Sequence, residues 1–216
     1  MRLLGITPIV VSSGELRRRQ ARYTELAPEG VTMDLVNLED GPTRLETSVE
    51  IRRSEDLVYE QVVRMDVSDH DGVFLDCVLD PALERLQAHM EVPVFGITNL
   101  VSSFVGSLGL QMAAVARNRV IADELDARIE AFGWTRRFSG VLVLDLSLED
   151  ISDTDLWNTT VSKRVTAGDL DNVDVVINGC SAVEVHPSGG PTVLDPTALA
   201  LRLIGIGQAV LRGQHQ

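Results

Sequence analysis

The sequence predicts an α/β fold of two pseudo-symmetric lobes, each a mainly parallel sheet flanked by helices. Three observations carry this expectation. Short Val/Ile/Leu runs alternate with helical stretches along nearly all 216 residues. Such unbroken apolar runs mark parallel strands buried on both faces. The alternation restarts after Gly109, and a segment of the first half recurs in the second. Residues 71–77 and then 92–98 pair with 174–180 and then 190–196. Each copy has a strand with a cysteine just past its end, then a Pro-led strand and a helix.

In chain order, 3–6 reads as a first buried strand and 14–26 as a polar, Arg-rich helix. The stretch 31–36 is a second strand, followed by a loop through Asp40-Gly41-Pro42 and a long helix over 48–65. Residues 72–75 form a strand ending at Asp76-Cys77. Asp80-Pro81 is expected to open a helix, Asp as N-cap and Pro at the first helical position, where a missing N–H costs nothing. The strand 92–97 leads to a helix reaching about Leu108, and Gly106-Ser107-Leu108-Gly109 reads as its end.

The second half repeats the plan. Strand 112–115 precedes a helix over 120–132 that Gly133 terminates, and 140–144 is a strand. The polar stretch 149–164 gives no clear period. Strand 173–177 delivers Asn178-Gly179-Cys180, and 192–194 is the last strand. Asp195-Pro196 opens the final helix, through about Leu211. The expected division is a first lobe of 1–97 plus the C-terminal helix 198–216, and a second lobe of 98–197.

Composition narrows the function. With 44% apolar residues the chain can bury a sizeable core, and no apolar run reaches the roughly 18 residues of a membrane span. Residues 1–8 are too short an apolar stretch for a signal peptide, so a cytosolic location is expected. Nineteen basic against 32 acidic residues give a net charge of −13, and Lys163 is the single lysine. An acidic surface repels phosphate backbones, which argues against nucleic-acid or anionic-membrane partners. The one basic cluster, Arg17-Arg18-Arg19 with Arg22, reads as a solvated helix face.

Two cysteines exclude a disulfide scaffold, and the four histidines show no HxxxH or CxxC spacing, so no metal is expected. A lone lysine without a motif argues against pyridoxal phosphate, and no cofactor is expected. The expected partner is a small-molecule substrate, with a homo-oligomer possible. His186, Trp134 and Trp157 carry no assigned role beyond a loop position and possible subunit packing; 188–190 reads as a turn, one candidate for a lid.

Cys77 and Cys180 remain. In open α/β sheets ligands bind outside the carboxyl ends of the strands. Two equivalent strand-end thiols would then face one another across a cleft between the lobes. Chemistry that needs such a pair is proton exchange at a carbon next to a carbonyl. Inverting that centre takes a base on one face and an acid on the other, roles a thiolate and a thiol exchange on each turnover. A helix N-terminus three residues past Cys77 would favour the thiolate. The amides of Val78, Leu79, Ser181 and Ala182 are placed to hold a developing enolate oxygen.

Here the sequence resembles the aspartate/glutamate racemase superfamily, and within it the hydantoin racemase branch. Asp76-Cys77-Val78-Leu79-Asp80-Pro81 is similar to the Ala-Cys-Phe-x-Asp-Pro segment around that family's first cysteine. Pro93-Val94-Phe95-Gly96-Ile97 matches the strand that follows, and Asn178-Gly179-Cys180-Ser181-Ala182 partly matches the second-cysteine segment. Gly41-Pro42-Thr43-Arg44-Leu45-Glu46 and Pro191-Thr192-Val193-Leu194-Asp195-Pro196 echo two further loops. The match runs in order along nearly the whole chain.

The resemblance implies an isomerase with catalytic Cys77 and Cys180. It adds Thr7, Pro8, Gly41, Pro42 and Asp76 to Val78, Leu79, Ser181 and Ala182 as substrate-binding positions. Departures bear on the substrate. Thr7-Pro8-Ile9-Val10 stands where the family has an Asn-Pro-Asn-Thr loop, and Ala116-Arg117 where it has a Thr pair. The polar helpers that follow each cysteine in free amino-acid racemases are replaced by Val78-Leu79 and Ser181-Ala182. A more acidic C–H, as in a 5-substituted hydantoin, suits this site better. Asp76 would raise the Cys77 thiol by like-charge repulsion if it faced the sulfur as a carboxylate, so it is expected to point away, the alternative being a protonated donor. Alternatives are a decarboxylase or cis-trans isomerase of the same superfamily, or a non-catalytic small-molecule-binding descendant.

Overall fold

The computed structural model describes residues 1–167, 170, 172–186 and 191–213, with side chains through 210. The chain forms two compact units. Unit 1 is Met1–Ile97 with the stretch from Thr197 onward; unit 2 is Thr98–Pro196.

Unit 1 contains β1 (Arg2–Thr7), α1 (Ser13–Leu26), β2 (Thr32–Asn37), α2 (Ser48–Arg64), β3 (Gly72–Leu75), α3 (Leu83–His89) and β4 (Val94–Gly96). The four strands lie parallel in the order β2-β1-β3-β4. Leu3, Ile6, Val73, Phe74 and Leu75 are fully buried, as the two-faced burial of a parallel sheet requires. Val58 and Val62 of α2 join that core, one turn apart on one helix face.

Local chemistry fixes the helix starts. Ser12 caps α1 by accepting from the Glu15 amide. Thr47 and Glu50 cap α2 reciprocally, a device worth about 1 kcal/mol.

Unit 2 contains α4 (Ile97–Ser107), which begins at the unit boundary, then β5 (Met112–Ala116), α5 (Arg119–Ala131) and β6 (Phe138–Val143). It continues with α6 (Thr154–Thr166), β7 (Val175–Asn178) and β8 (Thr192–Leu194). The parallel order β6-β5-β7-β8 is the same permutation as in unit 1. The repeat seen in sequence is thus a repeat of topology, with β3 and β7 in equivalent central places. Between Met112 and Ala114 the β5–β6 register shifts by one residue, where Gly140 takes φ +101°. That is the left-handed geometry a bulge assigns to glycine. The last helix, α7 (Pro196–Gly213), starts with proline at its first position, as expected from Asp195-Pro196.

Several expectations are corrected. Asp80-Pro81 does not open a helix: α3 begins at Leu83, after left-handed Asp80 (φ 46°) and Ala82 (φ 58°). The Asp80 side chain is fully buried and fills the space beside Gly96, where a Cβ would come within 2.6 Å of its carboxylate. It therefore does not cap α3. The polar stretch after 148 is a 3-10 turn, Glu149–Ser152, followed by α6, whose buried Trp157, Val161 and Val165 recur every fourth residue. The Arg17-Arg18-Arg19 run is not wholly solvated, because Arg19 is 9% exposed. Trp157 is fully buried inside unit 2, and Trp134 packs on Gly106 of α4; a Cβ at Gly106 would meet the indole at 2.3 Å. The 188–190 turn lies outside the described residues. Among the described residues no helix is long and apolar enough to cross a membrane.

Candidate functional site

In unit 1 the loops after β1, β2 and β3 are tied together at the carboxyl edge of the sheet. The Asp76 amide donates to Ile6 at 2.9 Å, prolonging the β1–β3 ladder by one residue. The Val10 amide donates to the Pro42 carbonyl at 2.9 Å, joining the Thr7-Pro8 loop to the Gly41-Pro42 loop. Gly41 adopts φ +143°, and a Cβ there would meet Leu57 at 2.9 Å. Ser54 of α2 donates to the Pro8 carbonyl, closing the same corner.

Cys77 follows at once and is half-buried. Its amide donates to Leu75 at 2.8 Å, and the Asp80 amide donates back to the Cys77 carbonyl at 3.1 Å. This tight turn swings the Leu79 amide onto the Cys77 Sγ at 3.4 Å. The Leu79 N–H was expected to await an enolate oxygen; it is directed at the sulfur instead. The helix expected three residues past Cys77 begins six residues past it, and the Leu79 amide is a donor beside the thiol. A donor on sulfur favours the charged form.

Asp76 is the charged centre of this edge. It is 1% exposed and both carboxylate oxygens are engaged. Thr7 Oγ1 donates to Oδ2 at 2.8 Å, Arg19 pairs with Oδ2 at 3.0 Å, and the Tyr23 hydroxyl donates to Oδ1 at 2.6 Å. Arg19 also binds Glu15 at 2.9 Å. Burial, then the charge and hydrogen bond of Asp76, push the Tyr23 phenol well above its ordinary range. Burial alone would raise Glu15, but hydrogen bonds from Arg18 and Arg19 with their charges hold it below the usual carboxylate range. Arg19 and Tyr23 were missed from the sequence. The available signal was Glu15, Arg19 and Tyr23 at spacing four, one stripe of α1.

Unit 2 presents the equivalent strand end with different chemistry. Gly179 stands where unit 1 has Asp76, and a Cβ on it would meet the Val115 carbonyl oxygen at 2.0 Å. Close approach of β5 therefore demands glycine before Cys180. Asn178 is fully buried; its amide nitrogen donates to the carbonyls of Cys180 at 2.9 Å and Val183 at 3.2 Å. Trp157 Nε1 donates to the Asn178 Oδ1 at 3.1 Å. Cys180 is half-buried at the edge of the cluster formed by Val115, Leu144, Trp157, Val176 and Val183. Ser181 and Ala182 are buried in the turn that follows. Arg117, just past β5, is buried and reaches the Leu146 carbonyl at 3.5 Å. His186 lies on an exposed loop position, its backbone amide bonded to Asn158.

Each unit thus offers one cysteine in a hydrogen-bonded turn at the end of its third strand. The family model of Asp/Glu/Hydantoin racemase matches residues 3–204. The chain belongs to that racemase family. Solved structures agree on the fold. Allantoin racemase from Klebsiella pneumoniae superposes with a TM-score of 0.81 at 18% identity, covering 97% of this chain and 88% of that one. Allantoin racemase from Pseudomonas fluorescens gives 0.78 at 19% identity, with 96% and 92% covered. The maleate isomerase Iso from Pseudomonas putida S16 gives 0.66 at 12% identity, with 97% and 93% covered. No curated protein matches the sequence of this racemase-family chain.

Proposed function

We propose that the protein is a cofactor-independent racemase or epimerase of a 5-substituted hydantoin or a similar amino-acid derivative. The observation that carries this reading is the pair of cysteines at equivalent strand ends of two topologically repeated units. Cys77 and Cys180 would serve opposite faces of the substrate's α carbon, one as thiolate base and the other as thiol acid. One reacting carbon between two sulfurs implies a separation of roughly 7–8 Å, two near-contact distances of about 3.5 Å. The thiolate takes the α proton, its electron pair passes into an enolate on the neighbouring carbonyl, and the opposite thiol returns a proton to the other face. Backbone amides of Val78, Ser181 and Ala182 are the proposed enolate donors. The loops at Thr7-Pro8 and Gly41-Pro42 would border the substrate.

A cyclic ureide fits these residues better than a free amino acid. The turns after both cysteines carry Val78-Leu79 and Ser181-Ala182, which offer little to offset a substrate carboxylate's resistance to α-deprotonation. Allantoin, the substrate named for the two similar racemases, is itself a 5-substituted hydantoin.

The test is incubation in deuterated water with each enantiomer of allantoin, of several 5-alkylhydantoins and of free amino acids. Exchange at the α carbon is followed by NMR and configuration by chiral chromatography. Exchange with inversion on hydantoins, unchanged by exhaustive chelation and without added nucleotide or pyridoxal phosphate, is the expected result. Carbon dioxide release from a malonate, cis-trans conversion of maleate, or binding without exchange would replace this reading with the corresponding alternative.

A further inference from the structure

An aspartate buried one residue before a thiol that must ionise is an electrostatic liability. A bare carboxylate there would oppose a second negative charge on Cys77. The structure answers with Arg19, paired to Asp76 Oδ2 at 3.0 Å, and with the Thr7 and Tyr23 hydroxyls at 2.8 and 2.6 Å. Thr7, Arg19, Tyr23 and Asp76 are all buried, although they come from β1, α1 and the end of β3.

We infer that Asp76 and Arg19 are positioning residues for Cys77. Together they form a charge-compensated anchor that fixes the cysteine's turn to β1 and α1 while presenting no net charge to its sulfur. The inference deepens the two-thiol reading and rests on it for its bearing on catalysis. It also makes the two thiols unlike, since Gly179 occupies the corresponding place before Cys180.

Charged and titratable groups at this centre include Glu15, Arg18, Arg19, Arg22 and Tyr23 of α1, and the Asp80 carboxylate from the turn after Cys77 lies beside Gly96. β1 supplies the neutral Thr7, while Val94–Gly96 of β4 carries no titratable side chain. Glu15, the second partner of Arg19, has a side chain 31% exposed, so solvent screens it more than it screens Asp76. Arg19 is accordingly a compensating charge in direct contact with Asp76.

The test titrates Cys77 alone, in a Cys180→Ser background, by its rate of alkylation with iodoacetamide across pH. Asp76→Asn leaves a buried guanidinium near the sulfur and should lower the midpoint by about one pH unit. Arg19→Met leaves the buried carboxylate and should raise it by a similar amount. The double variant should return near the background, and Arg19→Lys should rescue most of the rise. In a Cys77→Ser background the Cys180 midpoint should stay fixed throughout. A purely structural role would loosen the turn and move both single variants in the same direction.

Midpoints that stay put, or shift alike in the two variants, overturn the inference. Should Arg19→Met fail to fold, Tyr23→Phe replaces it: loss of the 2.6 Å donor must raise the midpoint while Asp76→Asn lowers it, and any other pair of shifts overturns the inference. No substrate enters this measurement. Failure of every hydantoin to exchange would therefore count against the proposed reaction alone, and opposite-signed shifts would still establish the anchor.

Discussion

Trp157 Nε1 donates to Asn178 Oδ1 at 3.1 Å, and that bond joins the core of unit 2 to the turn bearing Cys180. The indole is fully buried among Val115, Leu144, Val176 and Val183. The amide it orients points its nitrogen at the carbonyls of Cys180 and Val183. An aromatic residue on α6 thereby selects the amide orientation that clamps the loop following β7. Unit 1 reaches a similar end by ionic means, through Asp76.

Replacing Trp157 with Phe removes the donor while keeping an apolar ring in the core. Asn178 Oδ1 is then buried without its indole partner, at a cost of about 1–3 kcal/mol. The expected result is a lowered urea midpoint with an unchanged slope, together with faster alkylation of Cys180 in a Cys77→Ser background. Unchanged stability would show that the bond does not hold the turn.

Gly179→Ala tests the close approach of β5 and β7. A Cβ 2.0 Å from the Val115 carbonyl oxygen meets backbone, which cannot rotate away. Either the strands part or Cys180 shifts, and a displacement of about 1 Å at a reacting group can cost on the order of 100-fold in rate. Overpacking of this kind also costs about 1–3 kcal/mol or more. Turnover by the purified variant and its thermal midpoint should both fall. Gly109→Ala, at φ +77° but with open space around its Cβ, is the control and should leave turnover intact.

The same two-letter signal succeeded once in this sequence and failed once. Asp-Pro marks a helix start at 195–196, and α7 begins there. At 80–81 it does not, because the Asp80 carboxylate is drawn into the space beside Gly96 and the backbone turns left-handed. Helix α6 was illegible because Trp157, Val161 and Val165 form a narrow apolar stripe within an otherwise polar stretch. The strands at 72–75 and 192–194 were legible because short apolar runs bounded by turn residues have little else to form. Arg19 looked like surface charge because its partner, Asp76, lies 57 residues away, a distance no local period can encode. Both cysteines could be placed at strand ends from sequence; the groups that hold them could not.

The anchor in unit 1 also predicts a pH response. Burial and the neighbouring Asp76 raise the Tyr23 phenol well above its ordinary value of 10.0. A folded-state value above the unfolded one contributes stability that is fully present below about pH 10 and is lost as pH climbs toward the folded value. Unfolding free energy should therefore decline above about pH 10 in the wild type. In Tyr23→Phe that part of the decline should vanish, although the variant starts less stable at neutral pH through the lost bond to Asp76. A curve in Tyr23→Phe parallel to wild type across the alkaline range would contradict the burial of an un-ionised phenol.

The two thiols can finally be separated by serine, one at a time. Serine is close to cysteine in size, so Cys77→Ser and Cys180→Ser should fold, but a hydroxyl is far too weak an acid to supply an alkoxide base at neutral pH. Net inversion requires both faces and should fall by at least about 100-fold in each variant, the lower end of what one positioned acid or base contributes. The remaining cysteine can still remove a proton from its own face. In deuterated water each variant should therefore exchange the α hydrogen of one enantiomer, and the two variants should choose opposite enantiomers. A decarboxylase with one working thiol would lose activity in one variant and largely keep it in the other. A binding protein would exchange in neither. Racemisation by both single variants at near wild-type rates would remove Cys77 and Cys180 from the chemistry.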